Sequence, residues 1–391
     1  MALLSRFSFF ASRMILVRSS LCVVFCFVGG FVELRAQDQA AGWQRALPGR
    51  TYTFPRDHFD HPDFKTEWWY FTGHLHESGG KGREFGFQVT FFRQGVRAPG
   101  ARTEVSSRFV QNHFYFGHFA VSDLTGKQFY YTQEISRGAF DEAGAVAEGD
   151  AGDRIVWLND WSLTLNENDG FHSVTHNEKD GVTLDMKVVP QKPLVFHGKD
   201  GASQKAAGLG NASHYYSCSR MLATGELTIG EEKISVAGQA WLDREWATNQ
   251  LAADQVGWDW FSLQFKDGSE LMIYQLRKKD GSADPVSSGT WIDRAGNSTH
   301  LSSDAFTLTP QKTGVWKSGE SGADYPLRWK IAVPSLGIDV MTVERMQSQE
   351  LYLPPLTYWE GAVGVTGTHE GQGYMELTGY GGTISPLSGS R

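Results

Sequence analysis

Cysteine is scarce in this chain, with three in 391 residues. Two of them, Cys22 and Cys26, fall in a short apolar run over residues 21–32, which follows Arg6, Arg13 and Arg18 and leads to the small residue Ala36. This is the pattern of a secretory signal peptide cut after Ala36, so export to the periplasm or the medium is expected. Bulky residues before Cys22 and Cys26 disfavour a lipid anchor at either. Cys218 then stands alone, no internal disulfide can form, and an exported chain must be held by core burial. Long apolar runs are otherwise missing: residues 21–32 are too few to cross a bilayer comfortably and nothing later replaces them, so no stable membrane span is expected. Positive charge is also short. Removing Arg6, Arg13, Arg18, Arg35 and Glu33 leaves 32 basic against 43 acidic side chains, a net charge near −11, which argues against nucleic acid or an anionic membrane as partner.

Several catalytic signatures are absent as well. There is no His-Glu-x-x-His and no cysteine cluster beside the histidines at 58, 61, 74, 76, 113 and 118, so no metal site is expected. No Gly-x-Ser-x-Gly elbow occurs, which removes the commonest exported serine hydrolase. Gly208-Leu-Gly-Asn-Ala-Ser lacks the third glycine and the strand-to-helix setting of a nucleotide loop. Ser217 or Cys218 with His214 would make a badly aimed dyad, because neighbours in a strand point to opposite faces. Helical periodicity is confined to one short candidate over residues 244–253, and residues 137–153, rich in glycine, alanine and acid, read as an exposed loop.

What is abundant is aromatic: 25 Phe, 13 Trp and 13 Tyr, a composition that suits strands. Period-two alternation marks residues 85–92, 161–165, 182–189 and 226–229 as strands. Asp169-Gly170, Asp180-Gly181, Asp267-Gly268 and Asp280-Gly281 mark turns, since both residue types tolerate positive φ. An all-β chain of antiparallel strands in barrels or sandwiches follows. Two aromatic hairpins echo one another: Glu67-Trp-Trp-Tyr-Phe through Arg93, and Trp258-Asp-Trp-Phe through Arg277. They suggest a division into residues 37–245 and 246–391, each one barrel-like domain.

Within this sheet-forming sequence, Ser213-His-Tyr-Tyr-Ser and Gly238-Gln-Ala-Trp-Leu-Asp-Arg-Glu-Trp246 place titratable groups among aromatics. Residues two apart share a face, pairing His214 with Tyr216 and Trp241 with Asp243, with Glu245 following if the strand persists. A carboxyl buried among aromatics would keep its proton at neutral pH and could donate it. Tryptophan and tyrosine faces would steady a cation by roughly 0.5–2 kcal/mol each. Together these are the means to protonate an electron-rich alkene and let water capture the tertiary cation. A plainer account leaves Asp243, Arg244 and Glu245 as ion-pairing residues at a strand end and His214 as a hydrogen-bonded core residue. Glu67, Tyr70, Glu245 and Trp258 are further candidates for lining the same chamber.

These motifs, with His61-Pro-Asp-Phe-Lys-Thr-Glu-Trp-Trp-Tyr, Gly257-Trp-Asp-Trp-Phe, Tyr358-Trp-Glu-Gly-Ala-Val and Gly373-Tyr-Met-Glu-Leu-Thr-Gly-Tyr380, resemble the carotenoid 1,2-hydratase and AttH-like family from about Phe54 to Tyr380. The resemblance implies two lipocalin-like antiparallel β-barrel domains and a reaction that needs no cofactor. It also implies an acid–base set of the pattern His-x-Trp and Tyr-x-Asp, matched here by His214-Tyr-Tyr216 and Trp241-Leu-Asp243 with the two aromatics exchanged. The exchange moves the hydroxyl and the indole, so the substrate need not be a carotenoid. The expected activity is acid-catalysed hydration of a hydrophobic isoprenoid or lipid-like molecule, with Asp243 as proton donor, His214 orienting it, and Tyr216 and Trp241 facing the cation. The competing expectation is a periplasmic carrier of a lipid or hydrophobic small molecule, working beside a transport system.

Overall fold

Thirteen strands make the first sheet of the structure, a computed structural model that describes residues 42–79, 82–101, 112–249 and 251–381. The expected signal segment lies outside the described residues. The strands are β1 (Thr66–Glu77), β2 (Glu84–Gly95), β3 (His113–Asp123), β4 (Gln128–Ser136), β5 (Ala143–Ala145), β6 (Arg154–Leu158), β7 (Trp161–Leu165), β8 (Phe171–Asn177), β9 (Val182–Pro190), β10 (Val195–Phe196), β11 (Ala202–Gln204), β12 (Ala212–Ile229) and β13 (Glu232–Ala247). Their order is β4-β3-β2-β1-β13-β12-β9-β8-β7-β6-β5, with β10 and β11 also on β12. The sheet curls into a nearly closed antiparallel barrel.

After Ala247 the chain crosses to a second sheet, a half-barrel. Its strands come from β14 (Gln255–Phe265), β15 (Glu270–Lys278), β16 (Ser288–Ile292), β17 (Ser298–Ser302), β18 (Thr307–Pro310), β19 (Val315–Lys317), β20 (Asp324–Pro326), β21 (Trp329–Val333), β22 (Ile338–Glu344), β23 (Glu350–Leu353), β24 (Leu356–Gly367) and β25 (Gly371–Thr378). The order is β17-β16-β15-β14-β25-β24-β22-β21-β18, with β23 on β24 and with β19 and β20 as a separate pair. The two echoing hairpins are β1–β2 and β14–β15, each flanked by partners on both sides.

Alternation explains how the core forms. Along β8 and β9 buried residues alternate with half-buried or exposed ones, and Phe171, Leu184, Met186 and Val188 point into the barrel. Each such side chain contributes roughly 1.5–3 kcal/mol. By contrast β1 and β2 are buried along nearly their whole length, because the second sheet covers their outer face. Approach there is close: a Cβ on Gly86 would come within 2.7 Å of the Tyr374 hydroxyl. A third apolar cluster, including Tyr70, Tyr215, Trp241, Trp260, Met272 and Tyr374, fills the space between the sheets.

Two expectations need correction. Residues 244–253 do not form a helix, since β13 runs on through Ala247. Burial on both faces of a strand hides its period of two and imitates the fuller apolar pattern of a helix. Residues 137–153 are only in part a loop: Ala139–Asp141 form a short 3-10 turn and β5 pairs with β6 as the edge strand of the sheet, with Ala139 and Ala143 buried.

Candidate active site

The register of three central strands decides which side chains meet. Between β12 and β13, Ser217 lies opposite Asp243 and Tyr215 opposite Glu245, whereas His214 lies opposite Trp246 and Tyr216 opposite Arg244. Between β1 and β13, Tyr70 lies opposite Asp243 and Trp68 opposite Glu245, while Glu67 lies opposite Trp246. Directly opposed residues share a face and successive residues change it. Tyr70, Tyr215, Ser217, Trp241, Asp243 and Glu245 therefore face outward, toward the second sheet. Glu67, His214, Tyr216 and Arg244 face into the barrel.

A pocket with a cavity volume of about 130 Å³ lies on that outer face, its walls shared by both sheets. Trp68, Phe92, Leu251, Trp258, Trp260 and Tyr358 supply apolar and aromatic surface. In this pocket the Asp243 carboxyl is held by three neutral donors. The Tyr215 hydroxyl donates to its Oδ2 at 2.5 Å, and the Trp241 indole donates to Oδ1 at 2.6 Å. The Ser217 hydroxyl also donates to Oδ1. Burial outweighs these three bonds and, with the Glu245 charge adding to it, pushes the Asp243 carboxyl up to about 7. The group can therefore hold a proton near neutrality and release it. The Trp260 indole of the second sheet donates to the Tyr215 hydroxyl at 3.3 Å, tying the acid to the opposite wall.

Glu245, two residues on, is differently placed. Lys205 Nζ lies 3.1 Å from its Oε1, and the Ser213 hydroxyl donates to the same oxygen. The ammonium also sits 4.9 Å from the Tyr215 ring centre and 4.4 Å from that of Tyr274. On the second sheet, Glu360 lies opposite Glu376 across β24 and β25, and both line the pocket. The Tyr70 hydroxyl donates to Glu360 Oε1 at 2.5 Å. Burial first, and then the neighbouring Glu376, hold the Glu360 carboxyl well above the ordinary range. Glu376 is pushed up to about 7 by burial, with the Asp243 and Glu245 charges adding to it and a hydrogen bond from Trp258 opposing.

Of the residues singled out from sequence, Asp243, Glu245, Tyr70 and Trp258 line the pocket, and Trp241 binds the Asp243 carboxyl from beside it. His214, Tyr216 and Glu67 are elsewhere. His214 packs inside the barrel against Phe64 and Trp246, 3.5 Å from the Tyr52 hydroxyl, and burial pushes its imidazole down to about 3. Tyr216 is hydrogen-bonded to His58 Nδ1 at 2.7 Å. Glu67 binds Arg244 at 2.6 Å, His61 Nδ1 at 2.7 Å and Arg93 at 3.0 Å. The expectation that His214 orients Asp243 is thus corrected by strand parity. A different histidine stands next to the acid's partners: His197 Nε2 lies 2.6 Å from the Ser217 hydroxyl, its Nδ1 lies 2.8 Å from Thr290 Oγ1, and its ring packs 4.2 Å from that of Tyr215. Burial keeps the His197 imidazole well below its usual value and hence neutral. His197 follows a two-residue strand, too short to show any alternation. Glu360 and Glu376 stand in Tyr358-Trp-Glu-Gly and Gly373-Tyr-Met-Glu, but their partnership is a matter of register between strands and carries no signal in the sequence.

Comparison with known proteins agrees with this architecture. Residues 45–380 match the AttH-like family. A crystal structure of an AttH protein from Nitrosomonas europaea superposes with a TM-score of 0.74 at 34% identity, covering 86% of this chain and 99% of that one. Kievitone hydratase from Nectria haematococca superposes with a TM-score of 0.66, covering 87% of this chain and 97% of that one, at 15% identity, a likeness of fold. The dehydratase asqC of Emericella nidulans is 27% identical over 179 residues, 43% of this chain and 48% of that protein. The chain thus spans about half the length of that curated relative. It belongs to the AttH-like family and shares its lipocalin-like fold.

Proposed function

We propose that this AttH-like protein adds water to, or removes it from, a carbon–carbon double bond of a hydrophobic molecule, with Asp243 as the proton donor. The observation that carries the reading is the Asp243 carboxyl, buried, hydrogen-bonded by Tyr215, Ser217 and Trp241, and free of any ion pair among the described residues. Such a group gives up a proton readily because it is poised near neutrality. The aromatic walls then lower the energy of the cation that forms. Tyr215 and Trp241 orient the carboxyl, and His197 orients Ser217, taking the part that the sequence suggested for His214. The names of two relatives, a dehydratase and a hydratase, favour the same class. An isoprenoid chain, whose trisubstituted alkenes give tertiary cations, fits the walls best, and a carotenoid is one member of that class. Export rests on residues 1–36, and a carrier role would draw on the same apolar walls without needing a titrating acid.

The test is hydration of a panel of prenylated phenols and linear isoprenoids in ¹⁸O-water, followed by mass spectrometry. The reading expects addition of one labelled water by the parent protein and loss of that product in Asp243→Asn. A variant that works at the parent rate would remove Asp243 from the chemistry. Native mass spectrometry that finds a retained lipid in a protein inert toward the whole panel would favour the carrier.

A further inference from the structure

Asp243 is not the pocket's sole buried carboxyl without a cationic partner among the described residues. On the second sheet Glu360 is likewise buried and Glu376 is half-buried, and neither has a cationic partner among the described residues. Their Cα atoms are paired across β24 and β25, so their side chains leave the same face within about 4.5–5.5 Å at Cβ. Their hydrogen-bond donors are neutral, the Tyr70 hydroxyl on Glu360 Oε1 and the Trp258 indole on Glu376. Glu360 is 2% exposed, and its second oxygen, Oε2, is buried with no hydrogen-bond partner. A buried acceptor left unmet costs about 1–3 kcal/mol, and here it belongs to a residue lining the pocket. Two carboxyls paired across a ladder cannot both ionise cheaply, so ionising one raises the proton affinity of the other.

We propose that Glu360 and Glu376 work as one proton-sharing pair, the base that completes hydration from the sheet opposite to Asp243. This rests on the acid-catalysed reading above. In the forward direction the Asp243 O–H bond breaks, the alkene π electrons form the new C–H bond, and Asp243 is left as carboxylate. Water then forms the C–O bond to the cation. The resulting oxonium loses one O–H proton to the glutamate pair, which returns it to solvent while Asp243 regains a proton from solvent. In dehydration the pair protonates the departing hydroxyl and the Asp243 carboxylate takes the proton from carbon. Between the two steps, the ionised member of the pair faces the cation.

The test uses the whole chain labelled with ¹³C at glutamate and aspartate carboxyls and titrated by NMR from pH 4 to 9, with Glu360→Gln, Glu376→Gln and Asp243→Asn for assignment. Expected are two steps for the pair separated by about one pH unit or more, with a downward shift of similar size in the survivor when either member is replaced. Benzyltrimethylammonium serves as the probe of the cation. Its affinity should rise about tenfold between pH 5 and 8 and lose most of that rise in either glutamine variant. In the hydration assay each glutamine variant should lower kcat about tenfold or more. The other charged and titratable groups lining the pocket with the pair are Asp243, Glu245, Lys205, His118 and the tyrosines at 70, 215, 274 and 358. Glu245 and Lys205 are paired together, so Asp243→Asn isolates the remaining contribution within this pH window. Two glutamates that titrate independently in the ordinary carboxylate range, or probe affinity unchanged in both variants, would overturn the pair. An Asp243 that titrates normally beside a coupled pair would instead overturn the acid-catalysed reading.

Discussion

Asp243 and Arg244 are neighbours in the chain and belong to different chemistries. Inside the barrel, Arg244 meets Glu67, Glu67 meets Arg93 and His61, and Asp57 meets Arg50 and His61. Glu67 is held well below its ordinary value by Arg244 and His61, which overcome the opposing effect of burial. Asp57 is likewise held low by hydrogen bonds from His61, Thr53 and Arg50 that overcome burial. One peptide bond away, on the outer face, Asp243 has only hydroxyl and indole partners and rises to about 7. Burial is shared by both faces, so burial alone does not separate Asp243 from Glu67; the charge of their partners does. Asp60 refines the rule. It is pushed up to about 8 because burial and the adjacent Glu67 outweigh Arg93, and it still serves structure, within hydrogen-bond reach of that guanidinium.

The sharpest way to break this contrast is to neutralise one carboxyl on each face. Asp243→Asn should lower turnover by about 10²–10⁴, the range of a lost acid–base group, while thermal denaturation stays close to the parent. Unfolding of that variant would show that the outer acid is structural after all. Glu67→Gln should do the reverse. It leaves Arg244 and Arg93 buried and underpaired, which costs about 3–5 kcal/mol, so urea denaturation should show a large loss while the protein that remains folded keeps its activity. If Glu67→Gln abolished turnover without touching stability, the inner network would have to be joined to the site.

The same contrast explains how much could be foreseen from the residues. Strands with one more exposed face, such as β7 and β9, show their period openly, and the turns at Asp180-Gly181 and Asp267-Gly268 stand where expected. The pairing of Trp241 with Asp243 on one face, and the rise in the Asp243 pKa, follow from alternation and burial. What could not be foreseen is which face of β12 and β13 carries the pocket. Both faces are buried, so hydrophobicity does not separate them, and His214 and Tyr215 look equally placed until register with β13 is known. The partnership of Glu360 with Glu376 depends likewise on pairing between β24 and β25.

A pH titration of stability sharpens the contrast further, because Glu67 and Asp243 contribute with opposite signs. Glu67 has a folded value below its unfolded one near 4.5, so its contribution is present above that pH and is lost as acid is added. Asp243 has a folded value of about 7 against 3.8, so the folded state binds more protons between these limits. Its contribution is complete below pH 4 and is lost as pH rises toward 7, with a slope of at most about 1.4 kcal/mol per unit. Chemical denaturation between pH 5 and 7 should therefore show a shallower decline in Asp243→Asn than in the parent. An identical slope would mean that Asp243 is ionised throughout.

The smallest effect is expected from His214, and it bears most directly on the parity argument. Its ring lies on the barrel side of β12, edge-on to Phe64 and tilted against Trp246, with one long contact of 3.5 Å to the Tyr52 hydroxyl. It stays neutral down to about pH 3 because burial disfavours the imidazolium, so it has no proton to exchange in the working range. His214→Phe keeps the ring contacts and removes the nitrogens, which should cost about 1 kcal/mol of stability. Its kcat should stay far from the 10²–10⁴ change of an acid–base group, with an unaltered pH profile. His197→Phe should move that profile instead, since its Nε2 reaches the Ser217 hydroxyl that donates to Asp243. If the two substitutions exchanged outcomes, the imidazole at 214 would have to reach Asp243 through the sheet, and the assignment of faces from register would fail.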